Sequence, residues 1–182
     1  MQLELTIKDL ANGGVPFAGV AVYVWHCTRK GGYSLYSEGV SDQNFLRGVQ
    51  VADSAGKVRF SSIFPACYDG RWPHVHFEVY PDAGSITDST KAIATSQVAL
   101  PKDACQAVYA TDGYSASVQN LSRVSLQTDT VFGDDSGARQ IAEVTGSVDA
   151  GCAVSLVVGV DTTTTPTGGG APEGGGPGAP RP

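Results

Sequence analysis

Apolar and polar side chains alternate along much of the chain, and short runs rich in Val, Ile, Thr, Phe and Tyr recur up to residue 160. Alternation with a period of two is typical of β-strands that bury one face. Clusters of Gly, Asn, Asp and Pro separate these runs and indicate turns. The predicted strands are 2–8, 18–27, 57–62, 73–80, 93–100, 140–148 and 151–160. Many short strands with frequent turns predict an all-β fold, an antiparallel β-sandwich.

Two segments depart from the strand pattern. Residues 101–109 begin with a proline, carry Asp103 in the first turn and are followed by Gly113, so they predict one short helix. Residues 28–50 are poor in strand signal and rich in Gly, Ser and Tyr. We expect them to form a long loop, and long loops that leave a rigid sandwich often carry functional residues.

The composition changes near residue 161. Residues 1–161 are predicted to form one β-sandwich domain, whereas residues 162–182 are rich in Thr, Pro and Gly and are expected to be a disordered linker. Linkers of this kind are typical of proteins outside the cell, so we expect a secreted protein, although no signal peptide opens this sequence. The net charge of −6 argues against a nucleic-acid partner, and no apolar run is long enough to span a membrane.

The four cysteines are Cys27, Cys67, Cys105 and Cys152, and none of them has the close spacing of a zinc site. Their number allows two disulfides, with three possible connectivities, or four buried thiols. The linker-like tail favours an extracellular protein, and therefore disulfides, without fixing which cysteines are paired.

A His-x-His pair lies in the predicted strand 73–80. Alternate side chains of a strand point to the same face, so His74 and His76 are positioned to bind one metal ion. Glu78 shares that face and could complete a facial triad for iron(II). His26 is the other histidine of the chain, and we interpret it as a surface or core residue rather than a ligand.

Tyr68 lies just before the His pair and indicates a different metal. A phenol has a pKa near 10 and is a poor ligand for zinc, whereas a hard trivalent cation such as iron(III) stabilises the phenolate. A second tyrosine would complete a set of two phenolates and two imidazoles. The residues alone leave this position open between Tyr33 and Tyr36.

The site candidates belong to a longer ordered pattern. Its parts are Trp25-His26, Gly32-Tyr33-Ser34, Asn44-Phe45-Leu46-Arg47-Gly48, Ile63-Phe64-Pro65, Tyr68 and Arg71-Trp72-Pro73-His74-Val75-His76-Phe77. This pattern closely resembles the intradiol ring-cleavage dioxygenases, the catechol and protocatechuate dioxygenases that use non-haem iron(III). The resemblance is strong over about residues 15–100 and weaker up to the final strand, and its Tyr…Arg-x-Pro-His-x-His block is far more specific than His-x-His alone.

The resemblance implies four iron(III) ligands, with Tyr33 and His74 equatorial and Tyr68 and His76 axial. Tyr33 is preferred to Tyr36 because the family's first ligand follows a Gly-x-Tyr turn. Catalytic roles are implied for Tyr68 as well, and for two further residues. They are Arg71, at the position of the family's active-site arginine, and Gln97, at that of its site glutamine.

The implied activity is the cleavage of a small aromatic diol by O2 between its two hydroxylated carbons, which gives a cis,cis-muconate. The implied fold is a transthyretin-like sandwich with long active-site loops. Only two residues separate Tyr68 from Arg71, where larger family members have a longer loop, so a more open site is expected.

The compact core, the cysteines and the linker look most like the secreted actinobacterial branch of the family. In that branch a polysaccharide-binding module can follow the linker. The alternative function is a non-catalytic, transthyretin-like secreted binding module. The preferred catechol and the oligomeric state are left open.

Overall fold

A computed structural model describes residues 1–164 and shows nine strands and two helices in that range. The strands are β1 (Gln2–Asp9), β2 (Val15–Pro16), β3 (Ala21–Trp25), β4 (Arg47–Val51), β5 (Lys57–Ser61), β6 (His74–Tyr80), β7 (Ala94–Ala99), β8 (Glu143–Ser147) and β9 (Gly151–Val160). The helices are α1 (Lys102–Tyr109) and α2 (Ser115–Leu121), and a 3-10 turn covers Ser89–Lys91.

The strands form two sheets around one core. The first sheet has the order β2-β1-β9-β8, with β5 also paired to β1, and the second has the order β4-β3-β6-β7. Leu5 and Ile7 of β1 and Phe77 and Val79 of β6 belong to the same buried cluster, so each sheet supplies one apolar face to the core. The prediction of an all-β sandwich is confirmed.

One pair of strands differs from the predicted antiparallel arrangement. β1 and β9 run parallel, in a register from Gln2 opposite Ala153 to Asp9 opposite Val160. A parallel pair needs a long connection, and here nearly the whole described chain separates the two strands. A sequence of short strands and turns predicts pairing between strands that follow one another along the chain, so it does not predict the pairing of β1 with β9.

Three elements, β2, β4 and α2, were not predicted from the sequence, whereas α1 was. β2 has only two residues, both exposed. β4 lies at the end of the segment that was expected to be a loop, and its side chains, half-buried or exposed at the edge of the second sheet, show weak alternation. α2 has no side-chain cap at its first turn, so its start carries no clear signal. Residues 26–46 nevertheless form a long connection between β3 and β4.

The disulfide prediction is wrong for this structure, because all four cysteines are free thiols. Each sulfur instead approaches a backbone carbonyl: Cys27 that of Ala66 at 3.5 Å and Cys67 that of Arg71 at 3.4 Å. The sulfur of Cys105 lies 3.8 Å from the Leu100 carbonyl oxygen, and that of Cys152 lies 3.7 Å from the Ser147 carbonyl oxygen.

The predicted linker, residues 162–182, lies largely outside the described residues, which end at residue 164. The described helices include none that is long and apolar enough to cross a membrane.

Candidate metal centre

Two phenol oxygens and two imidazole nitrogens meet on the face of β6 that points away from the core. His74 Nε2 lies 3.0 Å from His76 Nε2, 3.4 Å from the Tyr33 hydroxyl and 3.3 Å from the Tyr68 hydroxyl. Around a common centre with bonds of about 2.0–2.1 Å, such separations correspond to angles of roughly 90–110°. The structure therefore brings together all four ligands that the resemblance implies.

Neighbouring groups orient both imidazoles. His74 Nδ1 donates a hydrogen bond to the Trp72 carbonyl at 2.5 Å, which leaves Nε2 with its lone pair facing the cluster. The His76 ring stacks on Trp25, with centroids 4.7 Å apart and planes 6° apart. Trp25 and His76 are directly opposed in the pairing of β3 with β6, so the sheet register itself sets this stack.

A tight turn brings Tyr33 to the cluster. Gly31 has a φ of +86°, and a Cβ atom there would lie 2.9 Å from Cβ of Tyr68, so this position needs glycine for both conformation and space. The Ser37 hydroxyl accepts a hydrogen bond from the Tyr33 backbone N–H at 2.9 Å. Tyr36 lies elsewhere, with its ring 5.0 Å from the Arg47 guanidinium carbon, and is not in the cluster.

Arg47 attaches the loop that carries Tyr33 to the second sheet. Its Nε donates to the Ser34 hydroxyl at 3.0 Å and its Nη2 to the Ser34 carbonyl at 2.7 Å. Its Nη1 donates to the hydroxyl of Tyr23 on β3 at 2.5 Å. Sequence analysis gave Arg47 no role, although it lies in the motif Asn44-Phe45-Leu46-Arg47-Gly48.

Burial holds the cluster in its uncharged state. It raises the pKa of Tyr33 well above the usual value and also raises the pKa of Tyr68. It lowers the pKa of His74 to about 3 and that of His76 well below its usual value, and the nearby Arg71 charge adds to both effects. The imidazoles are therefore ready to bind a cation, whereas the phenols ionise only when a positive charge is supplied.

Arg71 and Gln97 lie beside the cluster and are bonded to each other. Arg71 Nη2 donates to Gln97 Oε1 at 2.6 Å, and Gln97 lies opposite His76 in the pairing of β6 with β7. Arg71 also forms a buried ion pair with Asp129, with Nε 2.9 Å from Oδ2. Sequence analysis missed Asp129, because no motif surrounds it and it lies far from Arg71 along the chain.

The other two candidates lie apart from the cluster. His26 is buried, its Nδ1 donates to the Cys27 carbonyl at 2.8 Å, and its Nε2 accepts from the Ser62 hydroxyl at 2.7 Å, as expected for a core histidine. Glu78 accepts a hydrogen bond from the Tyr80 hydroxyl at 2.6 Å. Within residues 1–164, no three His, Cys, Asp or Glu side chains gather into a metal site, so the His74–His76–Glu78 facial triad is not formed.

The donor set fits iron(III). Two histidines alone bind a metal weakly, and here the remaining donors are phenol oxygens, which a hard trivalent cation converts to phenolates. The His74 and His76 nitrogens face each other at hydrogen-bond distance with two hydroxyls beside them. A cation between them would use all four lone pairs at once.

Residues 3–83 match the family model described as Dioxygenase, and this range includes Tyr33, Tyr68, Arg71, His74 and His76. This part of the chain, less than half of its length, is similar to the Dioxygenase family. Gln97 and Asp129 lie outside the matched range.

Two curated relatives are similar to part of the chain. Over 69 residues the chain is 41% identical to chlorocatechol 1,2-dioxygenase of Rhodococcus opacus, a match that covers 38% of this chain and 26% of the relative. Over 68 residues it is 37% identical to catechol 1,2-dioxygenase of Pseudomonas sp. strain EST1001, which covers 37% of this chain and 22% of the relative. The match thus spans about a quarter of the length of these curated relatives.

Solved structures support the fold. An intradiol ring-cleavage dioxygenase from Tetranychus urticae superposes with a TM-score of 0.78 at 22% identity, covering 92% of this chain and 83% of that one. The dioxygenase domain of a dioxygenase carbohydrate-binding protein fusion from Streptomyces sp. SirexAA-E superposes with a TM-score of 0.57 at 18% identity, covering 88% and 79%. The similarity of fold therefore extends beyond the range matched by the family model.

Proposed function

We propose that the protein is a non-haem iron(III) dioxygenase that cleaves catechols between their two hydroxylated carbons with O2 and forms cis,cis-muconates. The observation that carries this proposal is the convergence of the Tyr33 hydroxyl, the Tyr68 hydroxyl and His76 Nε2 on His74 Nε2. Similarity to the Dioxygenase family over residues 3–83 supports a dioxygenase. The curated relatives are a chlorocatechol and a catechol 1,2-dioxygenase, which supports catechols as the substrate class and cleavage between the hydroxylated carbons.

In this proposal Tyr33, Tyr68, His74 and His76 hold the metal. Bound iron(III) would withdraw electron density from a catecholate and make its ring reactive towards O2. The imidazoles bind without losing a proton, because their pKa values are lowered by burial. The two phenolates offset most of the cation's charge in a buried site.

Tyr68 is the proposed base for substrate binding. Burial raises the pKa of its phenol, so the Tyr68 oxygen would readily hold a proton taken from a catechol hydroxyl. Tyr68 lies at the exposed edge of the cluster, next to the exposed residues Asp69 and Gly70, which is consistent with a ligand that can move.

Arg71 is the proposed electrostatic stabiliser. Its positive charge lies close enough to lower the pKa of both imidazoles, so it also acts on negative charge that develops in the same space. Its side chain is only 14% exposed, which limits screening by water. Gln97 holds one edge of the guanidinium and gives it a fixed direction.

The test is oxygen uptake by the iron-loaded protein with a panel of catechols, together with the product spectrum, which separates cleavage between the hydroxyls from cleavage beside them. Phenolate-to-iron(III) charge transfer should colour the protein red-brown. Tyr68→Phe should shift this colour and slow turnover, whereas the matched variant Tyr36→Phe, in a tyrosine outside the cluster, should change neither.

Two results would contradict the proposal. If the purified protein takes up no iron and consumes no oxygen with any catechol, a non-catalytic transthyretin-like binding module is the better assignment. If iron binds but the spectrum of Tyr68→Phe is that of the parent protein, Tyr68 is not a ligand.

We also propose that the protein acts outside the cell and that a polysaccharide-binding module accompanies it. The support is the Thr/Pro/Gly-rich composition of the tail and the similarity of fold to a dioxygenase domain from a carbohydrate-binding fusion. Detection of the natural protein in the culture medium rather than in cells would test the location.

A further inference from the structure

Asp129 is a completely buried carboxylate whose two oxygens accept five hydrogen bonds. Oδ2 accepts from Arg71 Nε at 2.9 Å and from the Trp72 backbone N–H at 2.7 Å. Oδ1 accepts from Arg71 Nη2 at 3.4 Å and from the backbone N–H groups of Val131 and Phe132 at 2.8 and 3.1 Å. Its side chain is 0% exposed, so these partners replace its entire hydration.

These contacts fix the plane of the Arg71 guanidinium. A guanidinium is planar and rigid, so holding Nε and Nη2 determines where the remaining nitrogen lies. Asp129 holds Nε and Nη2 from one side, while Gln97 Oε1 accepts from Nη2 at 2.6 Å. Within residues 1–164 the hydrogen bonds and the ion pair of Arg71 use Nε and Nη2, so the N–H groups of Nη1 remain available to a substrate.

The same carboxylate also reaches a metal-site histidine through one peptide group. The Trp72 N–H donates to Asp129, and the Trp72 carbonyl accepts from His74 Nδ1 at 2.5 Å. Arg71, Trp72 and His74 lie at the start of β6 and just before it, whereas Asp129 comes from the distant segment between α2 and β8. The Asp129 side chain therefore connects the residues at the start of β6 to the segment between α2 and β8.

We infer that Asp129 is a positioning residue for ring cleavage, which acts by holding Arg71 in the orientation that stabilises negative charge on the reacting substrate. The inference rests on the proposed function. Asp129 itself need not contact substrate or metal, since its contacts go to Arg71 and to backbone N–H groups. Its carboxylate also offsets part of the Arg71 charge, so that the guanidinium offers directed hydrogen bonds rather than a diffuse positive field.

The experiment is a double-mutant cycle with Asp129→Asn, Arg71→Leu and the combination, measured on the iron-loaded protein with catechol. An asparagine keeps Oδ1 for Val131 and Phe132 but presents an amide N–H₂ to Arg71 and Trp72, which are themselves donors. Asp129→Asn should lower kcat by about 10- to 100-fold, the range for residues that orient catalytic groups, with a smaller change in KM. In the Arg71→Leu background it should have no further effect.

A structural role would give a different result. If Asp129→Asn lowers kcat by the same factor with and without Arg71, or lowers iron content in proportion to activity, it does not act through Arg71 and the inference is wrong. The matched control is Asp134→Asn, an exposed aspartate of the same segment, which should leave kcat and iron content unchanged.

A second measurement does not depend on catalysis. In the iron-free protein, the Arg71 Nε–H signal, assigned by its loss in Arg71→Leu, should exchange slowly with water and lose this protection in Asp129→Asn but not in Asp134→Asn. If the parent protein fails to cleave any catechol while this protection changes as expected, the proposed function fails and the orientation of Arg71 by Asp129 stands. Unchanged protection in Asp129→Asn overturns the inference.

Discussion

Each of the four clustered side chains is held in its neutral form by burial. The phenols have raised pKa values and the imidazoles have lowered ones, and the pKa of His74 is about 3. Without a cation, the two phenols and the two imidazoles are therefore all uncharged. A trivalent ion must therefore displace protons from the two phenols but none from the imidazoles.

Iron(III) binding should release about two protons between pH 5 and 8, one from each phenol. The sign follows from the pKa directions: the phenols are protonated throughout this range, whereas the imidazoles are already neutral, so affinity should rise with pH. The measurement is competition with a chelator of known proton stoichiometry at several pH values. Tyr68→Phe should release about one proton fewer, and equal release by this variant and the parent protein would contradict the assignment of Tyr68.

At the scale of elements, strand register and one arginine hold the site in place. Trp25, His76 and Gln97 form a row across β3, β6 and β7, so strand pairing fixes their relative positions. Tyr33 has no such support from a strand. Its loop is joined to the sheet through Ser34, which Arg47 holds by both its hydroxyl and its carbonyl.

Arg47→Met should therefore weaken iron binding by about 10- to 100-fold, the usual effect of removing a group that orients a ligand. Methionine keeps much of the apolar stem but loses the hydrogen bonds to Ser34 and Tyr23, so Tyr33 loses its anchor. Iron affinity measured by chelator competition checks this. Arg59→Met is the control, because Arg59 lies on β5 with a 62% exposed side chain; equal losses in both variants would show that the effect is not specific to the Tyr33 loop.

The sequence predicts the parts of this arrangement that depend on local pattern. Strand alternation places His74 and His76 on one face, and the proline and first-turn acid mark α1. The preference for Tyr33 over Tyr36 came from the resemblance alone, since their spacing in the loop does not distinguish them. Asp129 was not predictable, because a buried carboxylate is recognised by its partners, and Arg71 and Trp72 lie far away along the chain. β4 was not predicted, because this edge strand buries too few side chains to show alternation.

At the scale of the whole molecule, the core and the site lie on opposite faces of the β6 sheet. Val75, Phe77 and Val79 point into the core, while His74 and His76 point to the cluster of candidate ligands. Substitutions in the core of the first sheet should therefore affect metal binding only by lowering the stability of the fold.

Leu5→Ala should lower the free energy of unfolding by about 2–5 kcal/mol, because Leu5 is fully buried in β1 and alanine leaves a cavity. The folded variant should keep its iron stoichiometry and its charge-transfer absorption. Denaturant unfolding and the absorption spectrum check both parts. Val157→Ala is the control on β9, since Val157 is 63% exposed and should change stability little. Loss of the iron colour in folded Leu5→Ala would show that the two faces are coupled.

The parallel partnership of β1 with β9 affects the order in which the protein can fold. β1 leaves the ribosome well before its longest partner, β9, whose residues from Ala153 to Val160 pair with it. Until those residues emerge, β1 has only β2 and β5 beside it and exposes one open edge. The first sheet is complete only when β1 pairs with β9, and such non-local contacts slow folding. In a nascent chain the edge of β1 would thus stay open to chaperones until β9 has been made.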